Sequence, residues 1–190
     1  MKEIEIKARI TDHILTEQRV REIATFEKEC TKRDFYWNKF NHDPLGGKEI
    51  LIRIRECNSE IIVTYKRKDL QGNVEINEEQ EFKIDHKTAF EALLTDLGFA
   101  PYICKEKQTK TFVYNSLEGI PVTIEISHLT GLGDFIEIEI ILDSSDELMI
   151  GRAQGMLHQI LALCGVPKSA IESRYYIDLL RDPAKKQAAC

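Results

Sequence analysis

The stretch Glu3-Ile-Glu-Ile-Lys-Ala-Arg-Ile10, EIEIKARI, alternates strictly between charged and apolar residues. In an extended chain Glu3, Glu5, Lys7 and Arg9 share one face, and Ile4, Ile6, Ala8 and Ile10 take the other. A period of two over eight residues argues for a strand, because a helix would repeat its apolar positions at three and four. The apolar face needs cover. The charged face either meets water or walls a site that holds metal ions and anions.

The same alternation recurs along the chain. ILIRIREC opposes Ile50, Ile52 and Ile54 to Arg53 and Arg55, and IIVTYKRK opposes Val63 and Tyr65 to Thr64, Lys66 and Lys68. EEQEFKID sets Phe82 and Ile84 against Glu79, Glu81 and Lys83. YICKEKQ puts Lys105 and Lys107 on one face, PVTIEISH sets Thr123, Glu125 and Ser127 against Val122, Ile124 and Ile126, and DFIEIEII sets Glu137 and Glu139 against three isoleucines. With RDFYWNKF, about eight strands are expected. Short turns such as Cys57–Glu60 and Leu117–Gly119 favour antiparallel neighbours, since a parallel pair needs a long crossover.

Helical spacing is expected from about Thr11 to Glu29, capped by Thr11 or Asp12, and from about His86 to Leu97, capped by Asp85 and ended by Gly98. In the second, Phe90, Leu93, Leu94 and Leu97 are the expected core face. A third helix is expected from about Asp146 to Cys164, and a short one in SRYYIDLLR. Two polar, glycine-containing segments, Asn41–Lys48 and Arg67–Asn77, read as connections or lids over a site. The whole is an α+β fold built on one antiparallel sheet or barrel.

Composition narrows the function. With 190 residues the chain suits a single domain. Its 26 basic against 32 acidic residues, net −6, argue against a nucleic-acid binder. No apolar run reaches the ~20 residues of a membrane helix, and MKEIEIK offers no signal-peptide core, so no membrane partner is expected. Five scattered cysteines without a CxxC pair read as reduced thiols of a cytoplasmic protein, and with five scattered histidines they make no zinc pattern.

The charges come in same-sign pairs two residues apart: Glu3/Glu5, Glu79/Glu81, Glu137/Glu139, Arg53/Arg55 and Lys105/Lys107. An acidic strand beside a basic one would give cross-strand ion pairs of about 0.2–1 kcal/mol each on a solvated sheet. A lumen explains more. Carboxylate pairs are hard oxygen ligands suited to Mg²⁺ or Mn²⁺, and clustered arginines and lysines suit a polyphosphate.

At this point the residues resemble a known family. EIEIK is similar to the ExExK signature of the CYTH superfamily, the triphosphate tunnel metalloenzymes. RDFYW, LIRIR (Leu51–Arg55), TYK (Thr64–Lys66), Glu79/Glu81, Lys105/Lys107 and GLGDFIEIE (Gly131–Glu139) resemble its further motifs, in order. YYIDLL at Tyr175–Leu180 is similar to the ending of the class IV adenylyl cyclase-like branch.

The resemblance implies an eight-stranded antiparallel β-barrel or tunnel with helices packed outside, occupying residues 1–180 as one domain before a polar tail, 181–190. It implies Mg²⁺ or Mn²⁺ held by Glu3, Glu5, Glu79, Glu81, Glu137 and Glu139, and phosphates gripped by Lys7, Arg53, Arg55, Lys66, Lys105 and Lys107. Glu3, Glu5, Lys7 and Glu139 are then the catalytic candidates. The implied activity is adenylyl cyclase, ATP to cyclic AMP and pyrophosphate. The alternatives are a triphosphatase acting on inorganic, thiamine or nucleoside triphosphate, and a binding module without turnover. A homodimer is implied by the cyclase-like relatives. Two departures from the family pattern are Ser127, where Asp is usual, and Lys32 with Phe35, where Gln and a small or polar residue are usual.

Overall fold

The computed structural model describes residues 2–39, 51–67, 70–71, 74–116, 119–143 and 146–181, with backbone alone at 66–67, 70–71 and 74–79. In chain order it runs β1 (Lys2–Arg9), α1 (His13–Ile23), β2 (Thr25–Asn38), β3 (Leu51–Cys57), β4 (Glu60–Arg67), β5 (Leu70–Gln71) and β6 (Val74–Ile84). It continues with α2 (Lys87–Asp96), β7 (Ala100–Asn115), β8 (Pro121–Leu129), β9 (Gly133–Leu142), α3 (Glu147–Leu163), a 3₁₀ turn (Lys168–Ala170) and α4 (Tyr176–Arg181). The expected segment Asn41–Lys48, part of Arg67–Asn77, and the tail beyond 181 lie outside the described residues.

All pairings are antiparallel, in the order β1-β9-β8-β7-β2-β3-β4-β6-β5. β6 is long enough to serve two neighbours. Its first half pairs with β1, from Glu75↔Glu5 to Glu78↔Lys2, and its second half pairs with β4. That double pairing curls eight strands into a ring, with the two-residue β5 as an appendage on β6. The expected eight-stranded antiparallel barrel is therefore present.

Closing a sheet commits one face of every strand to the inside. Ile4, Ile6 and Ala8 of β1 join Ile124, Ile126, Ile136, Ile138 and Ile140 in the principal core, which lies outside the ring beneath α3. α3 contributes Ile150, Ala153, Leu157, Ile160 and Leu161, and Val20 of α1 completes the layer. A second outer cluster joins Trp37, Ile54 and Val63 to Leu94 of α2. Trimming Ile138 to valine deletes one methyl group from a fully buried site. The expected cost is about 1 kcal/mol, read as a lower urea midpoint at unchanged slope.

The helix boundaries show where periodicity alone misleads. α1 is capped by Asp12, whose carboxylate accepts from Leu15 N at 2.9 Å, but it ends at Ile23 and not near Glu29. Ala24 is already extended, and Thr25 and Phe26 pair with Val113 and Phe112 of β7, so ladder formation overrides the helical spacing. α2 is flanked by His86, with no side-chain cap, where Asp85 was expected. Leu94 is buried, whereas Leu93 and Leu97 are half exposed and do not face the core as anticipated. Gly98 and Gly165, with φ of +83° and +74°, end α2 and α3 in the left-handed conformation that glycine adopts without strain.

α4 behaves differently from the outer helices. Ile177 packs on Tyr36 and Leu51, while Tyr176 and Leu179 pack on Leu129, Leu132 and Phe135. Cys30, Cys57 and Cys164 are free thiols, as expected, but Cys104 is disulfide-bonded, which the spacing of the cysteines did not suggest. Among the described residues no helix is long and apolar enough to cross a membrane.

Candidate functional site

The strand registers bring the inward residues into specific neighbourhoods. Glu5 stands directly opposite Glu139, and Lys7 opposite Glu137, which is itself opposite Glu125 on β8. Lys32 of β2 faces Lys107 of β7, and Asp34 lies between Arg55 of β3 and Lys105 of β7. Thr64 sits between Arg53 and Glu81. Like charges directly opposite one another destabilise a sheet; Lys107 offsets the Glu125–Glu137 pair, and Glu125 offsets the Lys32–Lys107 pair.

Two adjoining cavities occupy the interior. The larger, about 480 Å³, is lined by Glu3, Glu5, Glu81, Glu125, Glu137 and Glu139 together with Lys32, Arg53, Arg55 and Lys107, among other residues. Among the described residues, six carboxylates there face four cations. The smaller, about 80 Å³, reverses the balance: Lys7, Arg53, Arg55 and Lys105 face Glu5 and Glu137. Its remaining walls include Tyr36, Leu51, Thr64, Tyr175, Tyr176 and Ile177. The interior is thus polarised, acidic in one compartment and basic in the next, with Glu5, Glu137, Arg53 and Arg55 shared.

Ion-pair networks hold this arrangement. Arg55 grips Asp34 with two prongs, Nε to Oδ1 at 2.7 Å and Nη2 to Oδ2 at 2.9 Å, and Lys105 Nζ reaches Oδ2 at 3.0 Å. Burial alone would raise the Asp34 pKa, but Arg55 and Lys105 together hold it well below the usual carboxylate range. Lys107 Nζ contacts Glu125 Oε2 at 2.9 Å and Glu137 Oε2 at 2.6 Å, and Lys32 binds Glu125 Oε1. Burial works against every charge in this group. Lys107 and Lys32 nonetheless pull Glu125 far down, and the two glutamates raise Lys107. Lys32 goes the other way: burial and the repulsion of Lys107 lower its pKa, and Glu125 offsets only part of that.

Most of the residues singled out in the sequence meet here. Glu3, Glu5, Glu137, Glu139, Arg53, Arg55 and Lys107 line the larger cavity, and Lys7 and Lys105 the smaller. Lys7 Nζ lies 4.8 Å from the Tyr176 ring centre and Lys105 Nζ 4.7 Å from it, so that ring is flanked by two ammonium groups. Glu81 lines the larger cavity at a half-exposed position, accepting from Arg53 Nη2 at 3.1 Å and Thr64 Oγ1 at 2.7 Å. The backbones of Lys66 and Glu79 are in register, but their side chains lie outside the described residues.

Arg9 departs from the row. It packs over the Phe135 ring and bonds Glu172 at 3.3 Å, tying the chain ahead of α4 to β1. Ser127 is fully buried and shares a hydrogen bond of 2.9 Å with Thr109. Of the aromatics noted in RDFYW, Tyr36 lines the smaller cavity and Trp37 belongs to the outer core.

Lys32 and Asp34 were not among the sequence candidates for binding, yet both belong to the inward network. Their roles emerge only from the ladders, which set Asp34 between Arg55 of β3 and Lys105 of β7 and Lys32 opposite Lys107.

For a divalent ion, the donor chemistry fits: Glu3, Glu5 and Glu139 are hard oxygen donors on two paired strands around one cavity. Among the described residues no three His, Cys, Asp or Glu side chains converge closely enough to enclose an ion by themselves.

The family model of the CYTH domain matches residues 1–176. A protein of Methanocaldococcus jannaschii, provisionally named an adenylate cyclase, is 26% identical over 180 residues, covering 94% of this chain and 98% of that one. The solved structure of a Pyrococcus horikoshii OT3 protein superposes with a TM-score of 0.77 at 29% identity, covering 94% and 97% of the two chains. A Hippeastrum protein, provisionally called an adenylyl cyclase and described as having a dominant triphosphatase activity, shares the fold with a TM-score of 0.64. It is 18% identical and covers 95% of this chain and 94% of its own.

Proposed function

The chain belongs to the CYTH domain family, and from that premise we propose that it is a divalent-metal-dependent enzyme acting on a triphosphate inside its charged tunnel. The leading reaction is that of a class IV adenylyl cyclase, ATP to cyclic AMP and pyrophosphate, in line with the name of the Methanocaldococcus relative. The observation that carries the reading is the polarised interior: among the described residues, Glu3, Glu81, Glu125 and Glu139 crowd one compartment, Lys7 and Lys105 the next, and Glu5, Glu137, Arg53 and Arg55 border both. A solvated sheet has no reason to bury Lys7, Asp34, Lys105 and Lys107.

In this reading Arg53 and Arg55 take phosphate oxygens with their planar forks, and Lys7, Lys66, Lys105 and Lys107 act as point charges along the chain of phosphates. Lys107 must exchange part of its contact with Glu125 and Glu137 for phosphate oxygen. Glu3, Glu5 and Glu139 hold the metal, assisted by Glu137, Glu79 and Glu81. A bound Mg²⁺ or Mn²⁺ lowers the pKa of the attacking hydroxyl or water and neutralises charge on the phosphoryl oxygens. Tyr36 and Tyr176 border the end of the site where a non-phosphate moiety would lie.

A triphosphatase is the second reading, and one feature favours it. The compartment beyond the arginines is only about 80 Å³ and is narrowed by Leu51 and Ile177. That is little room for a nucleoside, and the Hippeastrum neighbour's described activity points the same way. A homodimer and a cytoplasmic location belong to the same proposal, as does the single domain over 1–180.

Incubation with ATP, inorganic triphosphate and thiamine triphosphate under Mg²⁺ or Mn²⁺, with chromatography of products, separates the readings. Cyclic AMP with pyrophosphate is the expected outcome, and orthophosphate would select the triphosphatase. Tight binding of a triphosphate without turnover would replace the enzyme by a binding module.

A further inference from the structure

We propose that Tyr176 is a positioning residue of the tunnel: the face of its ring holds the Lys7 and Lys105 ammonium groups where they meet the substrate's phosphates. The inference rests on the triphosphate reading above and holds for either reaction, because both need the phosphates gripped. It makes α4 part of the site.

Lys7 on β1 and Lys105 on β7 are almost fully buried, 3% and 6% exposed, and both line the smaller compartment beside Arg53 and Arg55. Two ammonium groups in one buried compartment repel, and each reaches its place on a flexible four-carbon stem. Each therefore needs a fixed neighbour. Asp34 takes Lys105 at 3.0 Å, but its two oxygens also answer both prongs of Arg55. The Tyr176 ring centre lies 4.8 Å from Lys7 Nζ and 4.7 Å from Lys105 Nζ, inside the roughly 6 Å over which a ring face attracts a cation. A ring differs from a carboxylate in that it attracts the ammonium without cancelling its charge. The positive charge is then left for a phosphate.

The ring is itself fixed. It makes a T-shaped contact with Phe135, 5.0 Å between ring centres at 87°, and packs with Leu129, Leu132 and Leu179. The chain leading into α4 is tied to the neighbourhood of Lys7: Glu172 N donates to Lys7 O at 2.9 Å, and Ile171 bridges Ala8. The backbone that carries Lys7 therefore also sets where Tyr176 sits.

Tyr176→Leu keeps an apolar side chain and removes the ring, whereas Tyr176→Phe keeps the ring and removes the hydroxyl. On the triphosphate that the native chain takes, Tyr176→Leu is expected to raise KM, or Kd where there is no turnover, at least about tenfold, with kcat within about threefold. Tyr176→Phe is expected to bring the constant back to within about threefold of native. A ring that merely packs would lower the melting temperature in Tyr176→Leu and leave KM in place, so an unchanged KM in the folded variant overturns the proposal. A rise as large in Tyr176→Phe would place the effect on the hydroxyl and overturn it too. Phenylalanines with increasing numbers of fluorines at position 176 keep the shape and drain charge from the ring face, which covers the case of a Tyr176→Leu chain that fails to fold. KM is expected to climb with each fluorine, and a flat series overturns the proposal. A native chain that neither turns over nor binds any triphosphate would instead remove the reading on which it rests.

Discussion

Glu5→Gln is expected to lower kcat/KM on the triphosphate by on the order of 10²–10³-fold while the chain stays folded. Glu5 lines both compartments, the only carboxylate besides Glu137 to do so among the described residues. Its register partner on β9 is Glu139, another acid. Glutamine keeps the size and removes the charge, and the repulsion between Glu5 and Glu139 falls with it. The losses must then come from weaker metal and phosphate positioning. Steady-state kinetics with Mn²⁺, paired with a melting curve, tests both halves. Activity within threefold of the native chain would end the assignment of Glu5 to the metal, and a melting point lowered by many degrees would make it a structural residue.

The division of residues between inside and outside was legible because a strand leaves no choice: neighbours point to opposite faces, and a one-residue slip would bury every charge of EIEIKARI in the isoleucine core. The same rule separated Arg53 and Arg55 from Ile52 and Ile54, and Glu137 and Glu139 from Ile136, Ile138 and Ile140. Where alternation lapses, the reading failed. Thr25 to Lys32 runs TFEKECTK, exposed on most positions, and carries no apolar face from which to read a strand. The partner β7 fixes its register along its length, through pairs as distant in sequence as Phe26↔Phe112. Lys32 and Asp34 therefore had no visible role until Lys107, Arg55 and Lys105 were placed around them. α4 was equally opaque, since nothing in SRYYIDLLR says that Tyr176 ends between two lysines of different strands.

Asp34 is the residue whose loss should cost the fold most. It has no exposed surface, and its two oxygens answer both Arg55 prongs and Lys105. Asp34→Ala leaves two cations facing each other in the interior without a counter-ion, and the expected destabilisation is about 3–5 kcal/mol. Asp34→Asn preserves the shape but not the charge, and should fall between the two. The effect carries a pH signature. A carboxylate held well below its ordinary pKa of about 3.9 stabilises the folded state at all pH values above that figure. The contribution fades as pH falls through the depressed folded-state value, because protonation then removes in the native chain the charge that Asn lacks throughout. The gap in unfolding free energy between native and Asp34→Asn should accordingly be full at pH 7 and narrow below about pH 4. Urea denaturation at pH 7 and at progressively lower pH measures it. A gap that stayed constant on acidification would mean that shape, and not the Asp34 charge, holds Arg55 and Lys105 in place. With the charge confirmed, Arg55 owes its position to Asp34, and Asp34→Asn should also weaken triphosphate binding at pH 7 by leaving that guanidinium without its bidentate anchor.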